Sequence, residues 1–210
     1  MANKSNESYK TLAVKYIQDS SDTAVFSIDK KLGAFIDLFE DTINWVMFDI
    51  FGVPESEEYC ENVHIHRTFS LNCIGGFNGC HIPFSLINNL HSETYSVCKS
   101  AHDVLEELHS IIQDNKDIFG DISLYNDIFY IDDINFEDDY ENIGYEKSIL
   151  LQLPAIIVKT LHVFPSLLMY DPHRSDLFEP AQLYKLYESA GFKIVGDSGW
   201  LYKKITSIYQ

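Results

Sequence analysis

The chain has 210 residues, of which 46% are hydrophobic and 14% aromatic, enough to bury a full core and too apolar for a disordered segment. With 32 acidic against 15 basic residues, its formal net charge of −17 repels phosphate backbones and anionic membranes, which argues against nucleic-acid and membrane partners. It contains no apolar run of about eighteen residues, and residues 1–8 lack the apolar core of a signal peptide, so a cytoplasmic location is expected.

In chain order, residues 9–17 read as a short helix or strand and residues 24–28 as a short apolar strand. Residues 31–51 place Leu32, Phe35, Ile36, Phe39, Ile43, Val46, Met47 and Ile50 at three-to-four spacing. That spacing predicts a buried helical face, in two helices broken near Asp41 and Thr42, with Thr42 as an N-cap. Residues 63–71 alternate like a strand, Gly75, Gly76 and Gly79 mark a turn, and residues 81–87 return as a second strand, together a hairpin. Residues 94–112 carry Val97, Ala101, Val104, Leu105 and Leu108 at helical spacing, with Ser92 or Thr94 available as cap. They predict a long amphipathic helix whose stripe packs on the core. Cys60, Cys73, Cys80 and Cys98 form no Cys-x-x-Cys pair and read as reduced, half-buried side chains. His64 and His66 share a strand face without a third ligand nearby, so no metal site is expected.

From Ile128 the pattern becomes more specific. Residues 128–136 have strand character and lead into a turn around Gly144. A helix starts near Glu146 or Lys147 and carries Ile149, Leu150, Leu153, Ile156, Ile157 and Leu161, with Pro154 expected to kink it or split it in two. Residues 166–170 read as a short buried strand, Pro180 opens a helix through Ala190, Gly191 caps it, and residues 193–196 and 200–205 form a last hairpin. With no repeat and no linker, residues 1–210 read as a single domain of mixed α/β composition.

The run strand, glycine turn, helix, strand, helix closes on Leu186-Tyr187-Glu188-Ser189-Ala190-Gly191-Phe192. This Leu-Tyr-Glu-x-x-Gly-Phe ending, in that order of elements, resembles the acyl-CoA-binding half of the GNAT acyltransferase superfamily. The resemblance makes residues 121–210 the acyl-CoA-binding-like half and residues 1–120 a divergent N-terminal half. It implies an α+β fold with a mostly antiparallel central sheet flanked by helices, and acetyl-CoA as the cofactor. In that family a central strand splays from its neighbour, the pantetheine pairs with the open strand edge, and the pyrophosphate rests on N–H groups at the following helix start. Such a helix start is a natural anion site, because its first donors have no intrahelical partner. The resemblance thus places Ile134, Phe136, Ile143, Gly144, Tyr145, Glu146, Lys147 and Ser148 along the cofactor.

It also implies two catalytic groups, Tyr187 as the acid for the departing thiolate and Asp133 as the base for the attacking amine. Strand alternation puts Asp132 and Asp133 on opposite faces, so only one of them points into a cleft. The family's turn, Arg/Gln-x-x-Gly-x-Gly/Ala, falls on residues 141–146, where Gly144 agrees. Glu141 stands in place of the basic or amide residue, and Glu146 in place of the small one. Both departures bring negative charge toward a diphosphate, although an acid in a first helical turn also suits the helix dipole with no ligand present.

Two functions follow from the residues and the resemblance. One is an N-acetyltransferase moving acetyl from acetyl-CoA to an amine of a small molecule or protein, with the acidic surface favouring a cationic acceptor. The other is an inactive scaffold of the same shape, an acidic inhibitor or immunity-type protein that binds a basic protein surface. Neither sets an oligomeric state. Nucleophile-elbow, phosphate-loop, His-Glu-x-x-His and dinucleotide signatures are absent from the sequence.

Overall fold

A computed structural model describes residues 11–16, 23–27, 44–53, 72–83, 99–120, 127–141, 143–174 and 180–206. Its strands are β1 (Thr11–Tyr16), β2 (Thr23–Ser27), β3 (Asn44–Val53), β4 (Asn72–Pro83), β5 (Asp127–Phe136), β6 (Pro165–Tyr170), β7 (Lys193–Ile194) and β8 (Leu201–Lys204). Its helices are α1 (Lys99–Asp114), α2 (Lys116–Phe119), α3 (Tyr145–Leu161) and α4 (Pro180–Ser189). The strands form one sheet in the order β2-β1-β3-β4-β5-β6-β8-β7. Only β5 and β6 run parallel, so the fold is mixed α/β with a mostly antiparallel sheet flanked by helices, as expected.

β5 is the strand on which both layers rest. Its run Ile128-Phe129-Tyr130-Ile131 is apolar at every position because both faces are covered. Phe129 and Ile131 enter a core with Phe48, Phe77, Leu168 and the inward face of α3, whereas Ile128 and Tyr130 enter a second core with Val104, Leu105, Leu108 and Ile112 of α1. Helix α3 also passes close to β1 and β2. Among the described residues no helix is long and apolar enough to cross a membrane.

Three sequence expectations are corrected. The helix expected over residues 31–51 is, for its described part, strand β3. Val46 (1% exposed), Phe48 and Ile50 are buried while Met47 is 55% exposed, an alternation of period two that a three-to-four reading of Val46, Met47 and Ile50 conceals. The turn expected at Gly75, Gly76 and Gly79 is the middle of β4, paired to β3 on one side and β5 on the other. None of these glycines has positive φ; close approach explains them. A Cβ at Gly75 would lie 2.4 Å from the Asn135 carbonyl oxygen, and one at Gly79 2.5 Å from that of Tyr130. Of the two outcomes expected at Pro154, a kink or a split, the split is the one overturned: α3 runs unbroken from Tyr145 to Leu161, and the Leu150 carbonyl forgoes the donor that residue 154 would supply.

The expected elements after Ile128 otherwise stand where the sequence puts them. α4 begins at Pro180, and Gly191 at φ 91° closes it, with Gly191 N–H donating to the Glu188 carbonyl and Phe192 N–H to that of Tyr187. Lys203 Nζ adds a bond to the Ala190 carbonyl at 2.9 Å. β1 resolves the choice over residues 9–17 as strand, β2 matches the apolar strand expected over residues 24–28, and α1 overlaps the long helix expected over residues 94–112 and runs two residues past its end. The expected strand at 63–71, the rest of the 31–43 helix, the caps Ser92 and Thr94, and His64, His66, Cys60 and Cys98 lie outside the described residues.

Leu153 is fully buried against the sheet, while Leu151, two positions earlier on the same helix, is 50% exposed. Leu153→Ala should cost about 2–5 kcal/mol of stability and Leu151→Ala less than about 0.5, as measured by denaturant unfolding.

Candidate functional site

The parallel ladder between β5 and β6 stops at the pair Ile131 and Tyr170. β5 nevertheless continues to Phe136, held by β4 on its other side. The register of β4 against β5 shifts between Asn78 and Gly79, leaving Asp132 as the extra residue of a bulge. A gap therefore opens between the last residues of β5 and the end of β6. The start of α3 and one face of α4 line it.

The gap is a cavity of about 220 Å³ lined by Asp133, Ile134, Gly144, Glu146, Leu150, Tyr170, Gln182, Leu183, Leu186 and Tyr187. Of the ten residues assigned from sequence, Asp133, Tyr187, Ile134, Gly144 and Glu146 meet there. The other five lie around it. Phe136 and Tyr145 are buried in the core, rings 5.8 Å apart, and Ser148 Oγ donates to the Gly144 carbonyl at 3.1 Å. Ile143 and Lys147 are exposed. Leu150, Tyr170, Gln182, Leu183 and Leu186 were not foreseen. The spacing of Leu183, Leu186 and Tyr187 on one face of α4 carries that signal, whereas Tyr170 enters only because β6 ends beside α4.

Tyr187 is fixed by its neighbours. Its ring stacks on Tyr170 at 4.1 Å and 4°, and meets Phe192 edge-on at 5.0 Å. Complete burial, then Tyr170 and the charge of Asp133, push its phenol well above the ordinary tyrosine range. It is therefore a neutral donor at physiological pH. The Asp133 carboxylate accepts from Asn135 Nδ2 at 3.0 Å. Asp132 turns to Asn78, whose Nδ2 donates to it at 3.2 Å. Burial and the adjacent Asp133 raise the Asp132 carboxyl, against an opposing pull from Arg174. Arg174 is itself held by Glu107 at 2.8 Å and Asp171 at 3.6 Å, tying the segment after β6 to α1.

These residues fit one part of coenzyme A and misfit another. Among the described residues no strand pairs with β5 beyond Ile131 on the β6 side, which offers an edge to an extended acyl arm, and Gly144, at φ 94°, starts α3 without a side-chain cap. Among the described residues a Cβ there would meet no atom within 4 Å, so the backbone is open to approach on that side. Glu146, however, is only 9% exposed and faces the cavity from the first turn of the helix, where a diphosphate would lie. Among the described residues no Lys or Arg lines the cavity, and no three His, Cys, Asp or Glu side chains gather in a metal-binding group. No family model, curated protein or solved structure matches this chain.

Buried phenols make the fold sensitive to base. Tyr130 is raised like Tyr187, chiefly by burial. Unfolded, both ionise near pH 10; folded, both hold their protons, so their contribution is full below about pH 10 and is lost as pH climbs toward the raised folded values. Thermal unfolding followed from pH 8 to 11.5 should show stability falling above about pH 10. In Tyr187→Phe, which retains one of the two phenols, the fall should be shallower.

Proposed function

We propose that the chain is a GNAT-like N-acetyltransferase that moves acetyl from acetyl-CoA to an amine, with a cationic acceptor favoured by the acidic surface. The observation that carries this reading is the parting of parallel β5 and β6 after Ile131 and Tyr170, with Asp133 and Tyr187 on the walls of the resulting cavity. Coenzyme, when bound, would supply the acetyl group as a thioester. The free edge of β5 near Ile134 and the backbone at Gly144 would hold it. Asp133 would accept the proton that the amine sheds, and the Tyr187 hydroxyl would donate toward the departing sulfur. Because burial makes Tyr187 a weak acid, its donation helps only a thiolate that is itself removed from water. Asp133→Asn and Tyr187→Phe should each slow transfer by about a hundredfold or more while circular dichroism stays unchanged.

Glu146 supports a second reading, an inactive scaffold that meets a basic protein surface with its acidic one. Calorimetric titration with acetyl-CoA separates the two. On the enzyme reading the native chain binds weakly, and Glu141→Arg combined with Glu146→Gly tightens binding by about tenfold or more at equal ionic strength, or about 1.4 kcal/mol. No binding to either protein would favour the scaffold. Tight native binding with no gain in the variant would show that the diphosphate avoids the start of α3.

A further inference from the structure

Tyr170, the last residue of β6, and Tyr187, on α4, reach the cavity from different elements and meet there ring against ring. The centroids lie 4.1 Å apart with planes 4° from parallel. Ring packing by itself favours edge-on or offset pairs at roughly 4.5–7 Å, the relation that Tyr187 already has with Phe192. The closer, parallel approach to Tyr170 comes with a hydrogen bond between the two side chains, both of them buried. A hydroxyl is donor and acceptor at once and rotates to suit its partner. Two buried phenols bonded to each other therefore respond as a unit, because charge that develops on one oxygen draws the neighbour's proton toward it, strongly so in a low dielectric.

We propose that Tyr170 is the positioning residue for Tyr187, holding its hydroxyl at the cavity wall and donating to the phenolate left when Tyr187 protonates the departing sulfur. On the acetyltransferase reading, on which this role rests, the O–H bond of Tyr187 breaks as the S–H bond forms, and Tyr170 turns its hydroxyl toward the new phenolate oxygen. Tyr187 then regains a proton equivalent to the one that the amine sheds to Asp133. In the resting pair burial and then Tyr170 raise the Tyr187 phenol, whereas a Tyr170 hydroxyl turned to donate favours the charged form. Tyr170 lies outside the run Leu186 to Phe192, so the motif that marks Tyr187 does not mark its partner.

The test needs no acceptor amine. Calorimetry of the full chain at pH 7 and pH 9 compares coenzyme A, whose thiol ionises toward the upper end of that range as a cysteine's does, with S-methyl-coenzyme A, which has no thiol to ionise. The native chain should prefer coenzyme A by about fivefold or more at pH 9 and by less at pH 7, because the Tyr187 hydroxyl donates to the thiolate. Tyr187→Phe and Tyr170→Phe should each bring the preference at pH 9 within about twofold, and the double variant should lose no more than Tyr187→Phe alone. Affinity for S-methyl-coenzyme A should stay within about twofold throughout. Tyr170→Phe keeps the ring, so a role in packing alone would leave the preference in place; Tyr170→Met, which fills the space without a hydroxyl, is the second variant, and thermal unfolding shows that each is folded. A preference that survives in the Tyr170 variants overturns the role of Tyr170 and leaves the acetyltransferase reading standing. Binding of both coenzymes by the native chain without preference removes Tyr187 as the acid, and Tyr170 with it, from a coenzyme site that stands. Binding of neither coenzyme is the failure of the acetyltransferase reading itself, and the role of Tyr170 falls with it.

Discussion

Everything at the candidate site depends on one mismatch of strand length. β5 is paired to β4 nearly to its end, yet its parallel partner β6 stops at Tyr170. Among the described residues, backbone groups beyond Ile131 on the β6 side are thus left without a ladder, and the bulge at Asp132 falls where that support ends. Close packing on the other side makes this arrangement stable. Gly75 and Gly79 let β4 press against the β5 backbone, and α3 and α1 bury the two faces of its apolar half. The strand is anchored where it is apolar and free where its aspartates begin.

The elements nearest the site were the most legible in the sequence. The apolar run after Asp127, the proline at the start of α4 and the glycine at its end are local signals, and each fixes an element without help from distant residues. Tyr187 and Phe192 also belong to a local pattern, and their edge-on contact shows why the pattern packs well. Misreadings arose where the deciding contact is remote. Gly79 looks like a turn residue until the Tyr130 carbonyl is placed against it, and Met47 looks like a helical core residue until β4 fixes the pleat of β3. The cavity was legible only in part, because Tyr170 and Gln182 reach it from elements whose meeting is a property of the sheet order.

Charge gives the site its character. A helix start favours an anion, but here Glu146 takes up that preference from within the chain. Its carboxylate, on the cavity wall, disfavours a diphosphate at this helix start. Its burial on the cavity wall, which Asp133 also lines, places two acidic residues there in a chain of net charge −17.

The most direct test of the central claim, that the parting of β5 and β6 is where ligands enter, is methyl NMR during titration with acetyl-CoA. Shifts should concentrate at Ile134, Leu150, Leu183 and Leu186 around the gap and leave Val104, Leu108 and Ile112, the buried residues of α1 in the second core, in place. Shifts centred on the α1 residues, or none at the four cavity residues under saturating ligand, would contradict it.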